Sequence, residues 1–340
     1  MIEKLSIQLV RYKLPLLIFV AVLAIVFPMV FTSKYVLRIA ILCLMYCMLS
    51  VSLNLMTGVL GQMSFGHAAF WGIGAYTAAI LTKTCGWDGL GVLAMAALTA
   101  GFAGLILSLP VMHLKGYYFT IVTMVFCQIV RIVEINWMSL TNGPLGIMAI
   151  PKISVFSYTI KTQPAYYYTI LILLVLTTLL VNKIIHSRMG DAILAIRDDD
   201  LAAGAMGINV FKYKTLAIVI ASMLAGVAGA FYAVYTSYID PSCFTNAVSN
   251  NMLVMVIFGG LGNMFGSFLG ATVLTILPEA LRAFDNYRMV AYSLALVIMM
   301  IFRPKGLLGS YDFSMSRMLE RALNAVFRPK LRARKGSDGK

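Results

Sequence analysis

Apolar runs of about twenty residues recur along this chain, and that spacing limits its fold more than any single residue does. A helix needs about 20 residues to cross ~30 Å of hydrocarbon. With 61% of 340 residues hydrophobic, the chain carries more apolar sequence than a soluble core of its size requires. The fold class expected is all-α: a polytopic helical membrane protein of about 8–11 transmembrane segments, ten favoured, some interrupted by glycine.

In order, the runs are Leu14–Phe31, Tyr35–Leu55, a third reaching Thr82, Gly89–Met112, Gly116–Val130 and Ala165–Ile185. Then come Thr215–Tyr238, a short Val248–Phe258, its continuation to Leu281, and Met289–Phe302. Lys4, Arg11 and Lys13 precede the first run as they would a secretory signal. That run is long for a signal core and lacks a small-x-small cleavage site, so it reads as an uncleaved span. The divisions expected are an N-terminal segment 1–13, a membrane domain 14–302 and a basic tail 303–340. Trp137 and Tyr166 to Tyr168 flank an outer segment, Arg131 to Pro164, as interfacial aromatics.

One hydrophilic stretch, His186 to Lys214, is long enough to leave the membrane. Asp191 is a candidate cap for a short helix and Asp199 or Asp200 for a second, because a carboxylate accepts bonds from free first-turn amides. Gly207 suits the left-handed position that ends a helix. Leu194, Leu201 and Ala205 would share a face if the helix were continuous. The stretch reads either as a handle gripped by another protein or as an interfacial helix resting on lipid headgroups.

Glycines and polar groups interrupt apolar sequence between Gly58 and Gly72. Backbone freed from helix at membrane depth must be buried or line a wet cavity. The stretch is therefore a candidate pathway wall, with Asn54, Gln62, Ser64, Phe65 and His67 as candidate contacts. Ala68 with Gly72, and Gly74 with Ala78, equally suit close helix packing, as do Ala225 and Gly229. A second break holds Gly259, Gly262 and Asn263, and Gly262, Gly266 and Gly270 would line one helical face. Gly58-x-Leu60-Gly61-x-Met63 echoes Gly259-x-Leu261-Gly262-x-Met264, as in repeat-built transporters.

Charge sets orientation. The formal charge is +14. The tail alone contributes +7, ten Lys/Arg against three acids, which reads as an anchor on anionic lipid and not as a nucleic-acid surface. With the N-terminus inside and ten segments, 19 of the 27 Lys/Arg fall on the inner side. Both termini and the polar stretch are then cytoplasmic.

No source of energy is visible in the chain. There is no Gly-x4-Gly-Lys-Ser/Thr phosphate cradle and no hydrolase signature. His67 is the one clear titratable group deep in these apolar runs, and it reads more readily as a packed, hydrogen-bonded residue than as a proton relay. Cys43 and Cys47 lie four apart without a His or acid, so no metal site is expected. A disulfide between Cys85 and Cys243 is an open alternative. What remains is a passive pore or a channel worked by a partner.

Four motifs, in consistent order from Ser50 to Ser310, carry a resemblance. They are Gly61-Gln62-Met63-Ser64-Phe65-Gly66-His67-Ala68-Ala69-Phe70, Arg197-Asp198-Asp199 with Ala202-Ala203-x3-Gly207, Gly259-Gly260-Leu261-Gly262, and Phe302-Arg303-Pro304-Lys305-Gly306-Leu307. Together they resemble the branched-chain amino-acid ABC transporter permeases, in particular the LivM-type subunit.

The resemblance implies an importer subunit of the bacterial inner membrane that is not itself an enzyme and binds no cofactor. Its implied partners are a LivH-type second permease, two cytoplasmic ATPases and a periplasmic binding protein that delivers Leu, Ile or Val. Permeases for urea or short amides look similar. Residues 186–214 would hold the coupling loop, with Arg197, Asp198, Asp199 and Asp200 setting charge complementarity toward the ATPase. Ala202, Ala203 and Gly207 would allow close approach. The family's Glu before Ala-Ala is Leu201 here, with Asp200 one place earlier.

Overall fold

The computed structural model describes residues 24–281 apart from 32, 112–113, 115, 153, 156–157 and 160–161, together with 290, 293, 294 and 297. The segment 1–13, most of the run Leu14–Phe31, most of Met289–Phe302 and the tail 303–340 lie outside the described residues. Ser33–Gly309 belong to one unit, which holds every element named below.

Helix α1 (Lys34–Asn54) contains neither Gly nor Pro and runs into a π-helical turn, Leu55–Val59, where Thr57 and Gly58 weaken the regular ladder. After an irregular stretch come α2 (His67–Thr84), α3 (Leu90–Val111) and α4 (Tyr117–Asn136). A short α5 (Met138–Thr141) and a 3-10 turn (Gly143–Leu145) lead to β1 (Ile147–Met148), β2 (Ser154–Val155) and β3 (Tyr158–Thr159). Then follow α6 (Gln163–Ile185), α7 (Arg188–Asp198), α8 (Asp200–Ala205) and α9 (Val210–Thr236). The described elements end with β4 (Tyr238–Ile239), a 3-10 turn (Pro241–Phe244), α10 (Asn246–Gly259) and α11 (Met264–Ala280). The strands make two antiparallel ribbons, β1 with β4 (Ile147 opposite Ile239) and β2 with β3 (Ser154 opposite Thr159). The architecture is a helical membrane bundle.

Among the described residues, five helices are long and apolar enough to cross a membrane: α1 with its π-helical extension, α3, α4, α6 and α9; α10 and α11 are shorter apolar helices. Helix α9 is central, with 72% of its most apolar window buried, against 22% for α4 and for α6. The outward side of α6 carries Ile172, Leu176 and Leu179, each more than half exposed, as a lipid-facing surface requires.

Small residues let the central helices touch. Gly74 of α2 faces the backbone of Gly226 on α9, Gly229 faces the Trp71 carbonyl, and Gly104 of α3 faces the Ser222 side chain. Lipid tails offer little hydrophobic drive for helix association, so close backbone approach supplies it through dispersion. Ala68, Ala78 and Ala225 are fully buried, as the packing reading of these positions expects.

Two boundaries and two placements differ from the sequence reading. Helix α4 continues to Asn136 instead of ending at Val130, because the chain meets no breaker before Trp137 and the left-handed Asn142 (φ 62°). Arg131 and Glu134 are therefore helical and not part of an outer loop. Helix α9 starts at Val210 and not Thr215, capped by Asn209, whose side-chain oxygen accepts from the Lys212 amide at 3.0 Å. Gly262 sits in a turn, off the face of Gly266 and Gly270, which pack against Gly259 and Met255. Of the four aromatics, Trp137 is exposed but Tyr166 and Tyr167 are buried, with Tyr166 edge-on to Tyr235 at 5.3 Å.

Candidate functional site: the polar handle and the glycine junction

The polar stretch folds into two helices, not one. Ser187 precedes α7 but makes no side-chain cap, since its hydroxyl donates to the Ile184 carbonyl at 2.7 Å. Asp191 lies in the first turn, where a negative charge favours the helix dipole, and not at the cap the sequence suggests. Helix α7 ends at Asp199, whose backbone is extended (φ −157°, ψ 113°). The Asp199 carboxylate accepts from the amides of Leu201 (2.9 Å) and Ala202 (3.2 Å), so this residue caps α8. The break separates Leu194 from Leu201 and Ala205, and no shared buried face forms: Leu201 is 75% exposed.

Helix α8 closes at Gly207, where φ is +84°. Its amide donates to the Gly204 carbonyl at 3.0 Å, and that of Ile208 to the Ala203 carbonyl at 3.1 Å. A left-handed glycine satisfies the last free carbonyls in this way. Nothing lies within 4 Å of the position a Gly207 Cβ would take.

Ile193, Ile196 and Ala203 anchor the handle, all buried. A second tie is the ion pair between Lys214 of α9 and Asp200 at 3.3 Å, with the lysine side chain 6% exposed. Outward, the handle presents Met206 (84% exposed), Leu201 and Phe211, beside the exposed Asp198, Asp199, Ala202 and Gly207. A cavity of about 580 Å³ lies alongside, lined by Arg188, Asp191, Gly207, Asn209, Lys212 and Tyr213 among others.

Arg197 departs from the other handle residues. Its Nη1 donates to the Gly58 carbonyl at 2.7 Å, and its Cγ lies 2.8 Å from where a Gly61 Cβ would be. The guanidinium thus turns toward the bundle. There the two echoing glycine motifs meet. Gly61 and Gly262, matched in the echo, have φ of +79° and +80°. Asn54, fully buried, accepts from the Gly262 amide at 2.9 Å, and Gly58 abuts the Gly262 backbone. Asn263 caps α11 by accepting from Phe265 (3.1 Å) and Gly266 (3.3 Å), while Gly259 packs on the Gly266 carbonyl. Asn54, Gly259, Gly262 and Asn263 are therefore brought together, beside Arg197.

The remaining sequence candidates lie on the connection to α2. Gln62 and Ser64 are buried; Ser64 accepts from the Gly66 amide at 3.3 Å, and the Phe65 amide donates to Thr123 at 3.1 Å. His67 is fully buried, its Nε2 2.8 Å from Ser52 Oγ. The Ser52 hydroxyl donates to the Leu49 carbonyl at 2.8 Å, so it accepts from Nε2–H and leaves Nδ1 as a lone acceptor. These contacts are the packed, hydrogen-bonded arrangement read from the sequence.

Glu134 and Arg131 escaped sequence reasoning because α4 is longer than its apolar run. Glu134 is 5% exposed, faces Gly72, and has no hydrogen bond to either carboxylate oxygen among the described residues. Hydropathy ends the span just before these two residues, so the signal that could have found them is the absence of any helix breaker up to Trp137. All five cysteines are free, so Cys85 and Cys243 are not bridged. Among the described residues no three metal-ligating side chains cluster.

Comparison with known proteins fits this geometry. A family model described as the permease component of the branched-chain amino acid transport system matches residues 35–303. The high-affinity branched-chain amino acid transport system permease protein LivM of Escherichia coli (strain K12) is 34% identical over 322 residues, covering 88% of this chain and 75% of its own. The corresponding LivH protein of the same strain is 25% identical over 293 residues, covering 78% and 91%. A probable LivM protein of Methanocaldococcus jannaschii is 23% identical over 294 residues, covering 76% and 83%. No solved structure matches. A helical membrane bundle with two echoing glycine turns, matched over this much of its length, leaves one assignment: the chain belongs to the family of branched-chain amino acid transport system permease components.

Proposed function

We propose that this chain forms one half of the channel of an ATP-driven importer of Leu, Ile or Val. A LivH-type permease supplies the other half, two cytoplasmic ATPases drive it, and a binding protein delivers the solute from the far side. The chain crosses the inner membrane ten times, with α2, α10 and α11 among the crossings and one further crossing at each end. Residues 1–13, 186–214 and 303–340 are cytoplasmic, as the distribution of Lys and Arg favours.

The observation that carries this reading is the handle. It is an ordered, capped, two-helix projection whose outward apolar side chains, Leu201, Met206 and Phe211, have no use on a solvent-facing loop and suit a groove on another protein. Asp198, Asp199, Ala202 and Gly207 make up the rest of the exposed dock, with Ala203 buried beneath it. The solute route runs past the Asn54–Gly262 junction and the stretch from Gln62 to His67, together with Gly259 and Asn263. A partner moves such a channel between states only if it binds the two states unequally, so the ATPase must grip the handle differently with and without nucleotide.

The test is purification in mild detergent followed by reconstitution with the co-purifying ATPase, the second permease and a leucine-loaded binding protein. ATP-dependent leucine uptake is expected. A Gly207→Ile chain should assemble yet take up leucine at least ten-fold more slowly while ATP hydrolysis continues, because a β-branched residue resists φ of +84°. Normal uptake by that variant, or leucine movement through liposomes holding this chain alone, would defeat the proposal. Uptake of urea in place of leucine would move the substrate and leave the mechanism standing.

A further inference from the structure

We infer that Arg197 is a positioning residue that fastens the handle to the junction of the two glycine turns, so that the handle's movement is delivered to the contact between Gly58 and Gly262. The inference rests on the importer reading above and assigns Arg197 a role inside the chain instead of at the dock. One side chain is bonded to one half of the junction and lies beside the other. Its Nη1 donates to the Gly58 carbonyl at 2.7 Å; the same atom lies 3.4 Å from the position of a Gly262 Cβ, and its Cγ lies 2.8 Å from that of Gly61. A Cβ at Gly61 would push the arginine stem away, so glycine there makes room for the side chain as well as for the turn.

The junction is suited to move. The Gly58 carbonyl belongs to a π-helical turn, a geometry that recurs at functional sites and leaves the local ladder irregular. Gly61 and Gly262 occupy left-handed backbone, have exposed surfaces, and connect α1 to α2 and α10 to α11. Two side-chain bonds reach the contact between Gly58 and Gly262: that from Arg197 to the Gly58 carbonyl and that from the Gly262 amide to Asn54 at 2.9 Å. Helix α7 is regular over its eleven residues and its Ile193 and Ile196 are buried. Displacement of α8 therefore reaches Arg197 across the single capped break at Asp199, with Asp198 already in α7. A planar guanidinium with several donors holds a carbonyl at fixed orientation, which a lysine ammonium, a rotatable point charge, does less well.

The experiment uses the reconstituted importer with Arg197→Met and Arg197→Lys, and reads leucine taken up per ATP hydrolysed. Arg197→Met is expected to hydrolyse ATP within two-fold of the unmodified chain while uptake per ATP falls about ten-fold, with Arg197→Lys recovering part of the loss. A second readout serves if the Met variant assembles poorly. Spin labels at Asp191→Cys and Leu261→Cys, in a chain with Cys85→Ser, should keep one sharp separation with and without nucleotide when Arg197 is present. With Arg197→Met or Arg197→Lys the separation should broaden or shift when nucleotide is added. An unchanged uptake-to-ATP ratio in Arg197→Met, or a separation that ignores the substitution, overturns the inference. If the unmodified complex shows no ATP-dependent uptake, the importer reading fails first, and the two failures are told apart by that control.

Discussion

Replacing Gly226 with alanine should separate the central helices. On α9, a Cβ at this position would lie 2.5 Å from both the Ala96 carbonyl oxygen and the Ala100 Cβ of α3, where ordinary contact begins at 3.4 Å. Neither neighbour can rotate away, one being backbone and the other a Cβ, so α3 must retreat by about 1 Å. A gap of that size forfeits roughly a quarter to a half of each dispersion contact along the seam, including those of Gly101 with Met223 and Gly104 with Ser222. Overpacking of this kind costs up to about 3 kcal/mol, and alanine regains about 1 kcal/mol of helix propensity. The net loss is about 2 kcal/mol, which lowers the melting temperature of a chain this long by roughly 3 °C. The assay is the fraction of monodisperse protein after heating in dodecyl maltoside. Gly91→Ala is the control, since its new Cβ meets only Trp87 at 3.7 Å and should leave stability unchanged or raise it. If Gly226→Ala melts with or above the unmodified protein, close approach at this glycine does not hold α3 to α9.

Asp199→Ala should lose about 1 kcal/mol of local stability at α8, read as faster hydrogen exchange at residues 200–205, while Asp199→Asn retains most of the cap. Ser52→Ala removes the hydrogen-bond partner of the buried His67 Nε2 and should cost about 1–3 kcal/mol, measured by the same heating assay; an unchanged melting point would mean the imidazole finds another partner. Burial, and then the hydrogen bond to Asp240, raise the Cys243 thiol above its ordinary range. Because the thiolate is the reactive form, alkylation of Cys243 should be slow at pH 8 and accelerate only at higher pH. Asp240→Asn should move that rise to lower pH, and an identical rate profile in the variant would remove the carboxylate from the explanation.

The sequence decided everything that depends on composition and local pattern. Hydropathy drew α3 and α6 within two residues of their bounds, because a helix in lipid must be apolar wherever it faces tails. Capping chemistry marked the stop at Gly207 and narrowed the break to Asp199 or Asp200, because first-turn amides and last-turn carbonyls are answered by residues a few places away; the structure chose Asp199. The sequence also separated the polar stretch from the membrane, and its motifs gave the family. Only the tertiary structure decided where polar side chains at the ends of helices point. Arg197 reads along the chain as one charge among the aspartates, yet its guanidinium binds a carbonyl 139 residues distant. Glu134 reads as a loop acid and is buried against Gly72. The echo of two glycine motifs carried no sign that they touch. Such contacts join segments far apart in sequence, and their partners are backbone atoms that every residue possesses, so residue identity holds no record of them.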